Sequence, residues 1–461
     1  MKTKKINYVY KTEPYDHQKD VLEVSWAARY WALFLEMGTG KSKIICDTIG
    51  MLYERKEINA ALILAPKGVF DNWVKGEIPT HLPDRIERNV LRWTPSKTKA
   101  FQEKLRAITY EDSEDLKIFV MNIEAFSSAR GTKAAQTFLN SNPDNIVVVD
   151  ESTTIKNIKA ARTKNIISLK ELSKYRRILT GSPVTKSPMD LFSQCLFLSA
   201  NALNYSKFFL FQSRYAMVQR RTMGHRSFQE IVGYRRLDEL NEKLLTFSSR
   251  ILKEDCLDLP PRIYVRREVE LTDEQAKLYT QMKRLALAQL NNGELATTSS
   301  VLTQIMRLQQ ICCGFLQPDE GPIEPLPNNR LSGLMSAIDE TQGKVIIWAS
   351  YTYDIQRITS ALRDRFGPEA VATYYGATPQ DERQDIIEKF QDVNSELRFF
   401  VGQPKTGGFG ITLHAASTMI YFSNSYDLEI RLQSESRAHR INQTKSVTYI
   451  DLVSPNTIDE K

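Results

Sequence analysis

The 461-residue sequence is poor in cysteine: it has five (Cys46, Cys195, Cys256, Cys312, Cys313), an odd number with no Cys-x-x-Cys spacing. That excludes a disulfide framework and a zinc ribbon and points to a reducing, cytoplasmic setting. Long apolar runs are also missing. Residues 26–35 (broken by Arg29) and 194–203 stop well short of the ~20 residues that a bilayer span needs, so no membrane helix is expected. The N-terminal Met-Lys-Thr-Lys-Lys is basic, but residues 6–19 are too polar for the apolar core of a signal peptide, and secretion is not expected. No fixed-period repeat or low-complexity tract is present, which sets aside solenoids, propellers and disordered chains. Excess charge is small, +7 from 62 basic and 55 acidic residues; it permits polyanion binding without requiring it. Its distribution is uneven. From Arg214 to Lys253 nine Lys/Arg, among them Arg220, Arg221, Arg226, Arg235 and Arg236, stand against four acids, with Tyr215, Phe228 and Tyr234 interspersed.

What is present is the composition of a globular protein, 42% apolar, long enough for two to four domains at ~100–200 residues each. Strand-length apolar runs at 31–35, 60–65, 117–121 and 146–149 each lead into a polar or Gly/Pro turn and then helix-compatible sequence. This alternation predicts a parallel sheet. After Leu191 the pattern becomes largely helical until Leu259-Pro260-Pro261, where two prolines mark a boundary. From Lys344 the alternation returns, with strands expected at 344–350, 370–375, 398–401, 419–422 and 447–452, and a second α/β lobe follows.

Glu36-Met37-Gly38-Thr39-Gly40-Lys41-Ser42 lies between the first strand and the helical Ile44–Leu52. Strand, glycine loop, Lys-Ser and helix are the order of a phosphate-binding loop: backbone N–H groups turn onto the phosphates, Lys41 neutralises β/γ charge, and Ser42 can ligate Mg²⁺. Leu35 takes the place of the usual first glycine. The strand 146–149 ends in Asp150-Glu151, delivering two carboxylates to the edge where open α/β sheets bind ligands. Asp150 would hold Mg²⁺ through water, and Glu151 would orient the water that attacks the γ-phosphate. Ile178-Leu179-Thr180-Gly181 is another strand and turn, placing Thr180 near Asp150. In the second lobe Lys405-Thr406-Gly407-Gly408-Phe409-Gly410 is a glycine-rich loop able to approach phosphates or the nucleotide. Arg437 and Arg440, three residues apart, share a helix face or turn and can supply the cation that phosphoryl transfer requires.

Together these segments resemble the Swi/Snf branch of superfamily II helicases over nearly the whole chain. Tyr15-Asp16-His17-Gln18 resembles the adenine-reading motif, and residues 65–77, with Lys67, Trp73 and Glu77, resemble the first strand-contacting motif. Met121-Asn122-Ile123-Glu124, Arg250-Ile251-Leu252-Lys253, Leu308–Cys313, Tyr375-Gly376 with Arg383 and Phe390, and Gln433–Gln443 match further motifs in order.

The resemblance implies two RecA-like parallel-sheet lobes in tandem, with residues 1–203 binding ATP, 204–258 a basic helical insertion and 259–461 of the helicase C-terminal type. It implies ATP and Mg²⁺ as cofactors, with Lys41, Asp150, Glu151, Arg437 and Arg440 catalytic and Ser42 and Asp150 at the metal. Nucleotide contacts would come from Gln18, Gly38, Thr39, Gly40, Lys41, Ser42, Gly408 and Gly410. Nucleic-acid contacts would come from Lys67, Trp73, Asn122, Thr180, Arg235, Arg236, Lys405 and Thr406. The expected partner is double-stranded DNA together with proteins bound to it, without zinc or membrane.

The sequence departs from the family at Ser152-Thr153, Lys186 and Asn442, positions that bear on coupling rather than on hydrolysis. It stops at Lys461, near where the family's C-terminal brace helix would begin, as expected of a truncated chain or a minimal motor. The expected activity is ATP-driven translocation on duplex DNA that displaces or remodels protein–DNA complexes. A strand-separating DNA or RNA helicase and a nucleotide-switched binding regulator are the alternatives.

Overall fold

The computed structural model describes residues 8–96, 98–223, 226–291, 298–380, 382–407 and 411–460. The chain divides into two compact units, Met1–Asp258 and Leu259–Lys461. Gly408 and Gly410, and the side chain of Phe228, lie outside the described residues.

In the first unit, β1 (Tyr30–Leu35), β2 (Ala60–Ala65), β3 (Arg88–Arg92), β4 (Leu116–Asn122), β5 (Asn145–Asp150), β6 (Tyr175–Leu179) and β9 (Ser248–Ile251) form one sheet. Their order is β3-β4-β2-β5-β6-β1-β9, with every pairing parallel. All residues of β2 and β5 are buried, as a parallel sheet covered on both faces requires. The two faces sort by alternation. Leu62, Leu64, Val147 and Val149 enter one apolar layer, whereas Ala61, Ile63, Ala65, Ile146 and Val148 enter the other. Two helices matter to the site: α1 (Asp16–Ser25) and α2 (Lys41–Glu54), the latter buried over most of its length.

Residues 204–258 differ from the expected helical insertion. Among the described residues, helices cover only Phe208–Tyr215, Leu237–Leu245 and the short Lys253–Cys256, and between the first two lies an antiparallel hairpin, β7 (Ala216–Met223) and β8 (Arg226–Tyr234). Val218, Thr222, Ile231 and Val232 are β-branched, and their stiff side chains favour the pleated ribbon. The segment then supplies β9, whose register against β1 runs from Ala32↔Ser248 to Leu35↔Ile251. It is therefore part of the first unit's sheet.

In the second unit, β10 (Arg262–Glu268), β13 (Lys344–Trp348), β14 (Val371–Tyr374), β15 (Phe399–Gly402), β16 (Ala416–Tyr421) and β17 (Val447–Val453) form a second parallel sheet. Their order is β10-β17-β16-β13-β15-β14. A two-residue pair, β11 (Phe315–Leu316) and β12 (Glu324–Pro325), follows the helix Thr298–Cys313. Cys312 and Cys313 pack in apolar surroundings, and burial pushes the Cys312 thiol up to about 12. Gly407 is needed for packing: a Cβ there would lie 2.8 Å from the Trp348 ring.

The second unit is tied at its centre by Arg330, which is 1% exposed. Its guanidinium donates to the carbonyls of Phe422 (2.7 Å), Leu452 (2.6 Å) and Cys312 (3.3 Å) and to Asp459 Oδ2 at 2.6 Å. Removing one partner of a buried pair strands the other charge and costs about 3–5 kcal/mol. Arg330→Met is therefore expected to lower the urea midpoint of the second unit by about 1 M, and adding Asp459→Asn should recover part of the loss. Hydrogen exchange along β16 and β17 during denaturation checks this; an unchanged midpoint in the single variant would refute it.

Candidate active site

The ends of β1, β5 and β6 bring three loops to one edge of the first sheet. After β1 the chain turns through Gly38 (φ 84°) and Gly40 (φ 89°) into α2. Both glycines occupy the left-handed region that other residues adopt only with strain. Gly40 is constrained twice, because a Cβ would lie 2.1 Å from Gln18 Nε2. No side chain caps the start of α2, so its first-turn amides, next to Ser42, face the loop as an anion-binding terminus does. Lys41 Nζ donates to Leu35 O at 2.9 Å. The loop is held shut by Thr39, fully buried, whose hydroxyl donates to Glu36 O at 2.8 Å.

Gln18 supports this loop. It is buried, its Nε2 donates to Thr39 O at 3.0 Å, and its Oε1 accepts the Tyr15 N–H at 3.1 Å. His17 donates from Nε2 to the same carbonyl at 2.9 Å and stacks on the exposed Tyr15 ring.

Asp150 ends β5 buried, and burial pushes its carboxyl up from the usual range; the Trp73 hydrogen bond, the charge of Lys41 and the Glu151 N–H oppose that rise. Trp73 Nε1 donates to Asp150 Oδ2 at 2.9 Å, and Glu151 N donates to Oδ1 at 2.9 Å. Glu151 follows in the left-handed region, φ 51° and ψ 59°, a conformation that costs a non-glycine residue about 1–3 kcal/mol and is typical of functional positions. Thr180 Oγ1 donates to Glu151 Oε1 at 3.0 Å, orienting the carboxylate. Among the described residues no group of three or more His, Cys, Asp or Glu could hold a metal. One carboxylate and the Ser42 hydroxyl suit Mg²⁺, which keeps waters and phosphate oxygens as its other ligands.

Two nucleic-acid assignments are corrected by this geometry. Trp73 is fully buried and spends its N–H on Asp150, and Thr180 is fully buried against Glu151; neither presents a surface to a polymer. Lys67, Arg235, Arg236 and Lys405 are exposed, and Asn122 and Thr406 partly so. Asn122 Nδ2 donates to Glu124 Oε2 at 3.1 Å, and Thr406 Oγ1 to Gln403 Oε1 at 3.3 Å.

Several supports act over long sequence separations, so the local sequence does not show what they touch. Arg250 Nη1 donates to Phe34 O and Gly181 O, both at 2.9 Å, and Lys253 N donates to Glu36 Oε2 at 2.9 Å; the Arg-x-x-Lys segment thus braces two loops. Buried Ser152 donates to Gln194 Oε1 at 2.7 Å, and Gln194 Nε2 reaches Pro183 O at 2.8 Å, linking the acidic pair to the loop after β6. Beside Lys186, Ser187 caps the following turn, its hydroxyl oxygen accepting from Met189 N, and Asp190 Oδ2 accepts from Thr185 N, Thr185 Oγ1 and Lys186 N.

In the second unit Arg437 and Arg440 lie on the turn after the helix Leu428–Glu435. Arg437 is buried, donating to Gln433 O (2.8 Å) and Ile411 O (3.2 Å); Arg440, partly exposed, donates to the same Ile411 O at 3.2 Å. Asn442 has φ 75°, which explains why a residue tolerant of the left-handed region stands where the family often has glycine.

The SNF2-related domain model matches residues 17–315, and the helicase conserved C-terminal domain model matches residues 329–442. The SWI/SNF chromatin-remodeling complex subunit snf22 of Schizosaccharomyces pombe is 26% identical over 92% of this chain and 25% of its own length. The putative ATP-dependent helicase/translocase YwqA of Bacillus subtilis is 25% identical over 94% of this chain and 46% of its own. The chain thus spans a quarter to a half of the length of these curated relatives. A solved SWI2/SNF2 ATPase core of Sulfolobus solfataricus in complex with double-stranded DNA is 23% identical, with a TM-score of 0.45, covering 98% of this chain and 90% of that one.

Trp73→Phe keeps the ring but removes the donor to Asp150, a charge-assisted bond of about 1.5–3 kcal/mol. Because that bond holds the carboxyl down against desolvation, its loss raises the pKa further, and the ionised form that would hold a metal is depleted as pH falls. The expected result is a several-fold higher Mg²⁺ requirement for ATP turnover, larger at pH 6 than at pH 8. An identical Mg²⁺ dependence at both pH values would remove Trp73 from this role.

Proposed function

Because this chain belongs to the SNF2-related domain family, we propose that it is an ATP-driven motor that moves along double-stranded DNA and displaces or remodels proteins bound there. The observation that carries the proposal is the convergence, on one sheet edge, of a glycine loop at an uncapped helix start, a buried Asp150 and a conformationally strained Glu151.

ATP would bind with its phosphates on the 38–42 backbone and Lys41. Ser42 and Asp150 would hold a Mg²⁺ ion, which when bound would neutralise phosphate charge. Glu151, oriented by Thr180, positions the attacking water, and the residues around Gln18 keep the loop in shape. Of the arginine pair, Arg440 is the proposed finger, since Arg437 is buried and holds the turn. Thr180, Arg250 and the Ser152–Gln194–Pro183 chain act as positioning groups that pass the state of the acidic pair to the neighbouring loops. Lys67, Asn122, Arg235, Arg236, Lys405 and Thr406 form the proposed DNA-contacting set. Contacts of that kind bind phosphates with little sequence preference and weaken with salt. The relatives' names, a chromatin-remodeling subunit and a helicase/translocase, support movement on DNA as the common output.

Steady-state ATPase rates with no polymer, single-stranded DNA, duplex DNA and duplex RNA test the proposal at one low salt concentration. Duplex DNA should stimulate turnover at least tenfold over the other conditions. Equal stimulation by single strands or RNA would favour a strand-separating helicase, and none at all a nucleotide-switched binding protein. Glu151→Gln should retain ATP binding while turnover falls about 10²-fold or more; undiminished turnover would take Glu151 out of the water-positioning role.

A further inference from the structure

The β7–β8 hairpin uses its strands differently from the rest of the first unit. Its base is fixed. Tyr215 is fully buried among Tyr205 and Phe211, its hydroxyl donates to Glu239 Oε1 at 2.9 Å, and Lys243 Nζ donates to that hydroxyl at 3.0 Å. Arg214 pairs with the same Glu239, and Arg235 N donates to Tyr215 O at 2.9 Å. Beyond the base the ribbon leaves the core: Val218, Gln219, Arg220, Arg221, Thr222, Ser227 and Gln229 are all exposed. A two-stranded ribbon has no second layer of its own and is marginally stable alone, so a rigid stem carrying an uncovered ribbon suits an element that is completed by a partner.

Register decides which partner. Val218 pairs with Ile231, Arg220 with Gln229 and Thr222 with Ser227, so these six side chains share one face. That face contains no carboxylate; its polar members are an arginine, a glutamine and two hydroxyls, with Arg220 Nη2 already donating to Ser227 Oγ at 2.9 Å. The opposite face carries Gln219, Arg221 and Glu230, and there Arg221 is neutralised by its ion pair with Glu230.

We infer that the acid-free face of this hairpin is a duplex-DNA contact, with Arg220, Gln229, Thr222 and Ser227 meeting phosphates and base edges. The major groove, about 12 Å wide, admits a two-stranded ribbon, and arginine, glutamine and hydroxyl groups are its usual readers. A face without acids complements the phosphate backbone, whereas the opposite face carries the Glu230 carboxylate, paired with Arg221. The inference rests on the proposed translocation on duplex DNA and adds a contact outside the helicase motifs.

The full chain tests it through duplex binding measured over a salt series. Arg220→Ala/Gln229→Ala should weaken duplex affinity about fivefold or more and flatten the log–log salt slope by about one, the value of one lost phosphate contact. DNA-free ATPase should be unchanged, since neither residue belongs to the nucleotide site. The charge-neutral pair Arg221→Ala/Glu230→Ala, on the other face, should bind duplex as the unaltered chain does. If both pairs weaken binding equally, the face assignment is wrong; if the first pair leaves affinity and slope unchanged, the hairpin is not a DNA contact. An unaltered chain that fails to bind duplex DNA overturns the proposed function itself and this inference with it.

Discussion

The parallel register of β5, β6 and β1 is the constraint on which the first unit's site depends. Asp150 pairs with Leu179, and Leu179 with Leu33, so the acidic pair, the Thr180 turn and the phosphate-loop sequence all leave the sheet at one edge. A one-residue slip in any of these strands would turn its apolar residues out of their layer. The cost of exposing residues such as Val148 or Ile178 therefore keeps the candidate site groups aligned. Core packing and site geometry are the same requirement seen from two sides.

On that frame, short-range polar bonds set the finer geometry. Burial alone would leave Asp150 protonated more readily than an ordinary carboxyl, and the Trp73 N–H, the Glu151 N–H and the nearby Lys41 counter it. Glu151 is held in a costly backbone conformation while Thr180 fixes its carboxylate. Arg250 and Lys253, from the last part of the first unit, reach the carbonyls of Phe34 and Gly181 and the side chain of Glu36. The phosphate loop and the Thr180 turn are thus tied to the segment that leads out of the unit.

Much of the fold was legible because the central strands are apolar on both faces: the runs at 60–65, 117–121 and 146–149 coincide with β2, β4 and β5 to within a residue at each end. The strands that were missed are those where the pattern is diluted. β3 and β10 are edge strands, with exposed or half-exposed residues such as Arg88, Asn89, Tyr264 and Arg266, and β9 is four residues long with two serines. The hairpin at 216–234 is not legible as strands, because its charges hide a period of two. The inward orientation of Trp73 is not legible either, because a tryptophan in a motif carries no mark of which way it faces.

The sequence by itself determined the candidate chemistry of the first unit's site, because a glycine loop with Lys-Ser and a strand ending in Asp-Glu are each written within a few consecutive residues. Local backbone rules convert such segments directly into a turn, a helix start or a strand end. The tertiary structure alone decided which groups support them. The Trp73–Asp150 bond spans 77 residues, the Lys253–Glu36 bond 217 and the Arg330–Asp459 bond 129. It also decided which hairpin face is free of acid, since that follows from the pairing of two strands. Contacts of this kind depend on where the packed core brings distant segments together, and one linear sequence does not display that.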